Sequence, residues 1–178
     1  GAALGIGDNC ILVGMNAGLL LTDNDDCIAI GSYALDGCNG GELGNIAIGT
    51  HALGANIAGS DYCVAIGHSA LALQDEDKKN TAIGGLAGAI LEGGGSNKLV
   101  GYQAGNAIVD ANDNTAVGNV AYALGTGAGN TCIGANCGSA ALTGDDNTLM
   151  GVSAGAGLLG GAGNVLLGRT AGAAMTTG

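Results

Sequence analysis

One short phrase recurs along the whole chain at an almost constant interval, and this repeat limits the fold more than any other feature of the sequence. Asn80–Gly84, with the sequence Asn-Thr-Ala-Ile-Gly, returns as Asn114–Gly118 and Asn130–Gly134 with one substitution in each. Alignment on its glycine gives ten copies that are 16 to 18 residues apart. A short fixed period predicts a solenoid, in which each copy forms one coil and packs on its neighbours. We number the slots of a copy so that this glycine, which we expect to turn every coil at the same place, is slot 5: Gly14, Gly31, Gly49, Gly67, Gly84, Gly101, Gly118, Gly134, Gly151 and Gly168.

Two further slots carry nearly the same residue in every copy. Slot 8 is alanine, which would let the backbones of neighbouring coils approach closely, at Ala17, Ala34, Ala52, Ala70, Ala87, Ala104, Ala121, Ala154 and Ala171. Slot 1 is asparagine, whose amide can form hydrogen bonds from coil to coil, at Asn45, Asn80, Asn97, Asn114, Asn130, Asn147 and Asn164. Cysteine replaces it at Cys10, Cys27 and Cys63.

Slots 1 to 4 are rich in Ile, Val and Thr, which favour strands, and the run stops at a glycine. A helix is disfavoured because each glycine costs about 1 kcal/mol relative to alanine. The chain has 38 glycines, no proline and 47% hydrophobic residues, which excludes collagen and disfavours disorder. The sequence therefore predicts an all-β fold: a parallel β-solenoid of about ten 17-residue coils forming a rod roughly 45–50 Å long, as a single domain over residues 1–178.

Alternate residues of a strand face opposite sides, and here both sides are apolar. Slots 2 and 4 share one face, as in Ile28 and Ile30, and slot 3 on the other face is also apolar, as in Ala29. A strand that is apolar on both faces is normally buried on both, but one coil has a single interior. We therefore expect a second chain to cover the outer face.

The charges follow the same register. The net charge of −11 argues against nucleic acid and anionic membranes as partners. Every carboxylate except Asp36 falls in slots 13 to 18, among them Asp8, Asp23, Asp61, Asp75, Glu76, Asp77, Asp110 and Asp113. The acids form either a solvated edge that keeps the rod soluble or a cation-binding edge suited to Ca²⁺, for which Asp25, Asp26, Asp145 and Asp146 are the best candidates. We expect no other cofactor.

Two stretches resemble a known repeat. Asp26–Gly31 and Tyr62–Gly67, each followed by two residues and an alanine, are similar to the Asn-Ser-Val-Ala-Ile-Gly head repeat of YadA-like trimeric autotransporter adhesins. The later Asn-Thr-Ala-Ile-Gly copies resemble the glycine-rich repeats of phage tail fibres. The resemblance implies a left-handed β-roll, a side-by-side homotrimer, and an extracellular fibre that binds a host or surface receptor.

The polar residues give no enzyme signature. Two histidines without a partnered nucleophile make no catalytic triad, and His51 and His68 are expected at the surface. The cysteines are expected as small buried thiols, because Cys132 and Cys137 stand in slots 3 and 8; a bridge between Cys10 and Cys27 is the alternative. The four tyrosines occupy four different slots, so no aromatic platform for sugars is predicted.

Three functions are compatible with such a rod. The first is the shaft or head of a trimeric surface or virion fibre. The second is a structural extracellular filament whose subunits stack end to end; the partial copies at both ends of the chain are compatible with this filament or with an excerpt of a longer fibre. The third is ice binding through Thr81, Thr115, Thr131 and Thr148 in slot 2, which Lys98 interrupts.

Overall fold

The computed structural model describes residues 9–22, 24–38, 43–55, 60–74 and 79–177. Within these ranges the chain forms no helix and has one three-residue strand in each copy of the repeat. The strands are β1 (Ile11–Val13), β2 (Ile28–Ile30), β3 (Ile46–Ile48), β4 (Val64–Ile66), β5 (Thr81–Ile83), β6 (Lys98–Val100), β7 (Thr115–Val117), β8 (Thr131–Ile133), β9 (Thr148–Met150) and β10 (Val165–Leu167). The calls that fall on Asp8, Asp23, Asp75, Glu76 and Asp77 lie outside the described residues.

All ten strands form one parallel sheet in chain order, β1 to β10. Neighbouring strands pair slot on slot, so that Ala47 lies between Ala29 and Ala65. Parallel strands need a crossover between them, and here the rest of each coil provides it. The predicted parallel β-solenoid is confirmed; its left-handed sense and its trimeric state stay predictions.

Each strand ends at the slot 5 glycine because the backbone there adopts a conformation that other residues avoid. The ten glycines have φ between 118° and 141°. At Gly49 a Cβ would lie 2.5 Å from the carbonyl oxygen of Gly67, the same slot of the next coil. Glycine is thus required both by its φ and by the close stacking of the coils.

The chain beyond the glycine turns through left-handed residues, which occur in three columns. Slots 7 and 9 and the last slot of each described coil have positive φ, as at Tyr33, Leu35 and Asp26. Main-chain hydrogen bonds hold these positions in place: the slot 7 N–H of His51 donates to the Ser32 carbonyl of the previous coil at 3.0 Å, and the slot 9 N–H of Leu53 donates to the Ala70 carbonyl of the next at 3.1 Å. Such strained positions persist because the ladder determines them from both sides.

The coils are numbered as their strands are, so that coil 1 contains β1. Most coils fill their narrow interior with one or two large side chains from slots 3, 9 and 12, whereas coil 8 uses Leu142 in slot 13. Coil 6 uses Leu99 and Ile108, and its slot 9 is Gly105, where a Cβ would lie 2.7 Å from Ile108 Cδ1. Coil 4 uses Leu71 in slot 9 and has only Ala65 in slot 3. A large residue in one slot is therefore matched by a small one in another, which is why the sequence combines many glycines and alanines with aliphatic residues.

Candidate functional site

The most extensive candidate surface is the outer face of the sheet, formed by slots 2 and 4, which we call the outer sheet face. Slot 3 points inward, and Ala29, Ala47 and Ala65 are completely buried. Slot 4 points outward and is exposed or half-buried in every coil, with Ile83 39% exposed and Val117 37%. It is apolar throughout: Val13, Ile30, Ile48, Ile66, Ile83, Val100, Val117, Ile133, Met150 and Leu167.

The structure of the single chain does not test whether a second chain covers the outer face of the strands. The inner face is buried by the coil's own interior, whereas the outer face stays accessible to solvent along the whole sheet. Slot 2 changes along the rod: it is aliphatic in coils 1 to 4, polar in coils 5 to 9, and Val165 in coil 10. The outer sheet face is therefore a continuous apolar column that is widest in the first four coils.

The slot 1 asparagines lie inside the rod, next to the sheet. Asn97 Oδ1 accepts a hydrogen bond from the backbone N–H of Asn114 in the next coil at 3.0 Å. Asn97 Nδ2 donates to the carbonyl of Ala111, in slot 15 of its own coil, at 2.9 Å. The same pair of bonds is made by Asn147, through the N–H of Asn164 and the carbonyl of Gly161. Each such asparagine thus closes its own coil and links it to the next.

Cysteine performs part of this task in the early coils. The Cys63 sulfur accepts from the backbone N–H of Asn80 at 3.4 Å, and the Cys10 thiol donates to the carbonyl of Asn24, in slot 15 of its coil, at 3.2 Å. A thiol is a weaker partner than an amide in both roles. Cys10 and Cys63 thus each reproduce one half of the asparagine pattern through a weaker partner, whereas the Cys27 thiol donates to the Asp25 carbonyl of the preceding coil at 3.4 Å.

Coil 7 departs from the pattern because it is one residue short. Asn114 Nδ2 is buried and has no hydrogen-bond partner, and the slot 15 carbonyl of its coil, Ala128, accepts instead from Asn130 Nδ2. Tyr122 occupies slot 9 of this coil and is fully buried. Its hydroxyl donates to the Gly127 carbonyl at 2.6 Å and accepts from Asn130 Nδ2 at 3.0 Å.

The glycine and alanine columns are structural. The slot 8 alanines are buried in the described coils apart from the half-buried Ala171, and their carbonyls accept the ladder bonds from slot 9 of the previous coil. A larger side chain in slot 8 would compete for the space that the slot 3 and slot 12 side chains fill. Neither column presents a chemically reactive group to solvent.

Several acidic residues stand at positions where the backbone favours an aspartate. Asp26, Asp113 and Asp146 take the left-handed last slot of their coils, a conformation that Asp and Asn adopt more readily than most residues. Asp61 and Asp145 accept hydrogen bonds from the backbone N–H groups of Leu43 and Ala128 in the preceding coils, at 2.7 and 2.8 Å. The acidic edge is therefore partly a set of turn residues, as expected of a solvated turn, and partly a set of capping residues, a role that was not predicted.

The aspartates named as cation candidates form two separate pairs of neighbours, Asp25–Asp26 and Asp145–Asp146. Asp25 pairs with Leu43 in an isolated bridge, and Asp26 accepts from Asn9 Nδ2 at 3.2 Å. Asp145 and Asp146 lie several coils away along the rod. Across the described ranges no group of three or more His, Cys, Asp or Glu side chains assembles that could hold a metal ion.

All six cysteines are present as thiols. Cys10 is half-buried, and the others are buried. Cys132 and Cys137 face each other across their coil, and the hydrogen bond between the two thiols, together with burial, raises the pKa of Cys132. The Cys137 thiol also donates to the Leu149 carbonyl at 3.2 Å, so both sulfurs have defined places in the core. The alternative bridge between Cys10 and Cys27 is not formed.

His51 and His68 are exposed, as expected, but the conclusion that no aromatic platform exists was incomplete. Tyr33 and His51 stack face to face, with ring centroids 5.0 Å apart and an interplanar angle of 8°. Both residues stand in slot 7 of adjacent coils. The signal was present in the sequence, but it was missed because only tyrosines were compared with one another.

Comparisons with protein-family models, with curated proteins and with solved structures found no match to this chain. Over the described residues, no helix is both long enough and apolar enough to cross a membrane.

Proposed function

We propose that the chain is the repetitive shaft or head of a trimeric extracellular fibre, on a cell surface or a virion, that projects from its carrier and binds a host or surface. The observation that supports this most directly is the outer sheet face. Parallel sheets are normally covered on both faces, and here the outer one is half-exposed and apolar in slot 4 of all ten coils.

A second copy of the chain suits this face better than an unrelated partner. Every coil presents the same apolar slot at the same spacing, so identical rods can lie side by side with their columns in register. Apart from Asp36, the described acids lie on the edge of the rod in slots 13 to 18, and Lys98 is the single charged residue in slots 2 and 4. Lateral contact through this face would bury apolar surface without bringing the acidic edges directly together.

The proposal is tested by the mass of the chain in solution. Sedimentation equilibrium at micromolar concentration should give three times the 16.8 kDa of one chain. The double variant Ile83→Asp/Val117→Asp should shift this mass to that of a monomer, because each carboxylate would be desolvated in the interface. Leu124→Asp is the matched control: Leu124 is 51% exposed but lies in slot 11, so its replacement should leave the trimer intact. A wild-type chain that stays monomeric would overturn the proposal.

The structural filament is the competing function, and electron microscopy separates the two. Rods of one chain length lying in bundles of three support the trimeric fibre, whereas rods many chain lengths long support end-to-end stacking. Ice binding is the least favoured alternative, because the exposed Lys98, whose Nζ donates to the Ser96 carbonyl at 2.7 Å, interrupts the threonine column. A thermal-hysteresis measurement tests it directly.

A further inference from the structure

An open cleft of about 390 Å³ lies on the turns that follow the slot 5 glycines, away from the outer sheet face. It crosses coils 2 to 4, between the slot 7 column and the slot 10 column. His51 and Ser69 line it from slot 7, and Asp36, Gly54 and Ala72 line it from slot 10. The lining residues are Asp36, His51, Gly54, Ala55, Ser69, Ala72 and Leu73.

The aromatic wall of the cleft is His51, which stacks on Tyr33 of the preceding coil. Tyr33 covers one face of the His51 ring at 5.0 Å, and the next residue of the column, Ser69 of coil 4, is small. Coils repeat at about 4.8 Å, which is also a stacking distance for flat rings. The His51 face that points toward coil 4 therefore leaves room for a ring supplied by a ligand.

The acidic group of the cleft is Asp36, the one carboxylate outside slots 13 to 18. Asp36 stands in slot 10, and the same slot of the next coil is Gly54. A Cβ on Gly54 would lie 3.3 Å from Asp36 Oδ1, so the carboxylate extends along the cleft over a residue without a side chain. Burial raises the pKa of Asp36, and the nearby His51 offsets part of that rise. A partly desolvated carboxylate gains from accepting hydrogen bonds.

We propose that this cleft binds the pyranose ring of a neutral sugar. The apolar face of the ring stacks on His51, vicinal hydroxyls donate to the Asp36 carboxylate, and the Ser69 hydroxyl serves as a further donor and acceptor. Ala55, Ala72 and Leu73 supply the apolar remainder of the cleft. A net charge of −11 disfavours acidic sugars. The inference rests on the proposed adhesive function, which it extends by naming the ligand class.

The test titrates the intact assembled chain with the methyl glycosides of glucose, galactose, mannose and N-acetylglucosamine, observed by saturation-transfer NMR. At least one should bind saturably. His51→Ala and Asp36→Asn should each weaken that binding about tenfold or more, a loss of ~1.4 kcal/mol. His51→Phe should retain most of the binding because it keeps a flat ring in slot 7.

The matched controls are His68→Ala and Glu92→Gln, which remove an exposed histidine and a carboxylate outside the cleft; neither should change the affinity. The site is overturned if no neutral sugar binds, if the control variants weaken binding as much as the cleft variants, or if N-acetylneuraminic acid is preferred. Circular dichroism confirms that each variant is folded. The two proposals fail separately: a trimer without sugar binding overturns only this site, and a sugar-binding monomer overturns only the lateral assembly.

Discussion

The ring of Tyr122 fills the space that a side chain at Gly125 would otherwise take: a Cβ built on Gly125 would overlap the ring carbons. Tyr122 stands in slot 9 and Gly125 in slot 12. In coil 5 the sizes are reversed, with Gly88 in slot 9 and the buried Leu91 in slot 12. The interior of each coil thus has a nearly fixed volume that different slots can fill.

This relationship predicts strong coupling between the two positions. Tyr122→Gly should cost about 3–5 kcal/mol by opening a cavity, and Gly125→Leu should cost about 1–3 kcal/mol or more by overpacking. The double variant reproduces the arrangement of coil 5 and should be more stable than the sum of the single effects by about 2 kcal/mol. Urea unfolding of the four proteins measures this coupling; strictly additive effects would contradict the shared volume.

Tyr122→Phe tests the hydroxyl alone. The change leaves the buried carbonyl of Gly127 without its donor and should cost about 1–3 kcal/mol at neutral pH. Burial raises the pKa of Tyr122 above its ordinary value, so the folded state disfavours the phenolate. The stability that the Tyr122 hydroxyl contributes to the wild type is fully present below pH ~10, the pKa of tyrosine in the unfolded chain. It is lost as the pH rises above that value.

The free-energy difference between wild type and Tyr122→Phe should therefore shrink above pH 10. Tyr102→Phe is the control, because Tyr102 is 52% exposed and loss of its hydroxyl should leave the stability unchanged. A constant difference between wild type and Tyr122→Phe from pH 7 to 11 would contradict the assignment.

The glycine column has two requirements, a positive φ and close stacking on the next coil. The variants Gly134→Ala and Gly168→Ala separate them. Both residues have φ that alanine rarely adopts, 133° and 118°, which should cost each variant about 1–3 kcal/mol. At Gly134 the new Cβ would also lie 2.5 Å from the Gly151 carbonyl oxygen, whereas at Gly168 nothing lies within 4 Å. Gly134→Ala should therefore lose a further ~1–3 kcal/mol in chemical unfolding. Equal losses would show that backbone strain alone sets the requirement.

The thiols should differ in accessibility. Cys10 is half-buried, and the other five cysteines are buried, so a thiol reagent such as DTNB should label one cysteine quickly in the native chain and all six in denaturant. Cys10→Ala should abolish the fast phase and leave the slow phases unchanged. Fast labelling of two or more thiols in the native protein would contradict the buried positions of slots 1, 3, 8 and 12.

The fold could be predicted from the sequence because the repeat is local and strict. A strand of three residues between slot 1 and the glycine follows from residue type alone, and the recurrence of Asn80–Gly84 as Asn114–Gly118 sets the register of the sheet. Residue type alone does not tell which face of the strand points inward, because Ala82 in slot 3 and Ile83 in slot 4 are both apolar. The structure places slot 3 inside the coil and slot 4 outside.

The contacts outside the strand were harder to predict, since they depend on how different slots meet in space. The compensation between Tyr122 and Gly125 joins slots three residues apart in one irregular coil. The Tyr33–His51 stack joins different residue types in one slot. Both become visible only when each column is compared residue by residue and the coil geometry fixes which slots face one another.

Asn97 and Asn114 provide the sharpest test of the asparagine column. Asn97→Ala removes the acceptor for the Asn114 N–H and the donor for the Ala111 carbonyl, leaving both buried groups unpaired at a cost of about 2–5 kcal/mol. Asn114→Ala removes the acceptor for the Asn130 N–H, but its Nδ2 has no partner to lose. This variant should therefore be destabilised by about 1–3 kcal/mol less than Asn97→Ala. Thermal and urea unfolding of the two variants measure the difference, and an equal loss would mean that closure of the coil by Nδ2 contributes little to its stability.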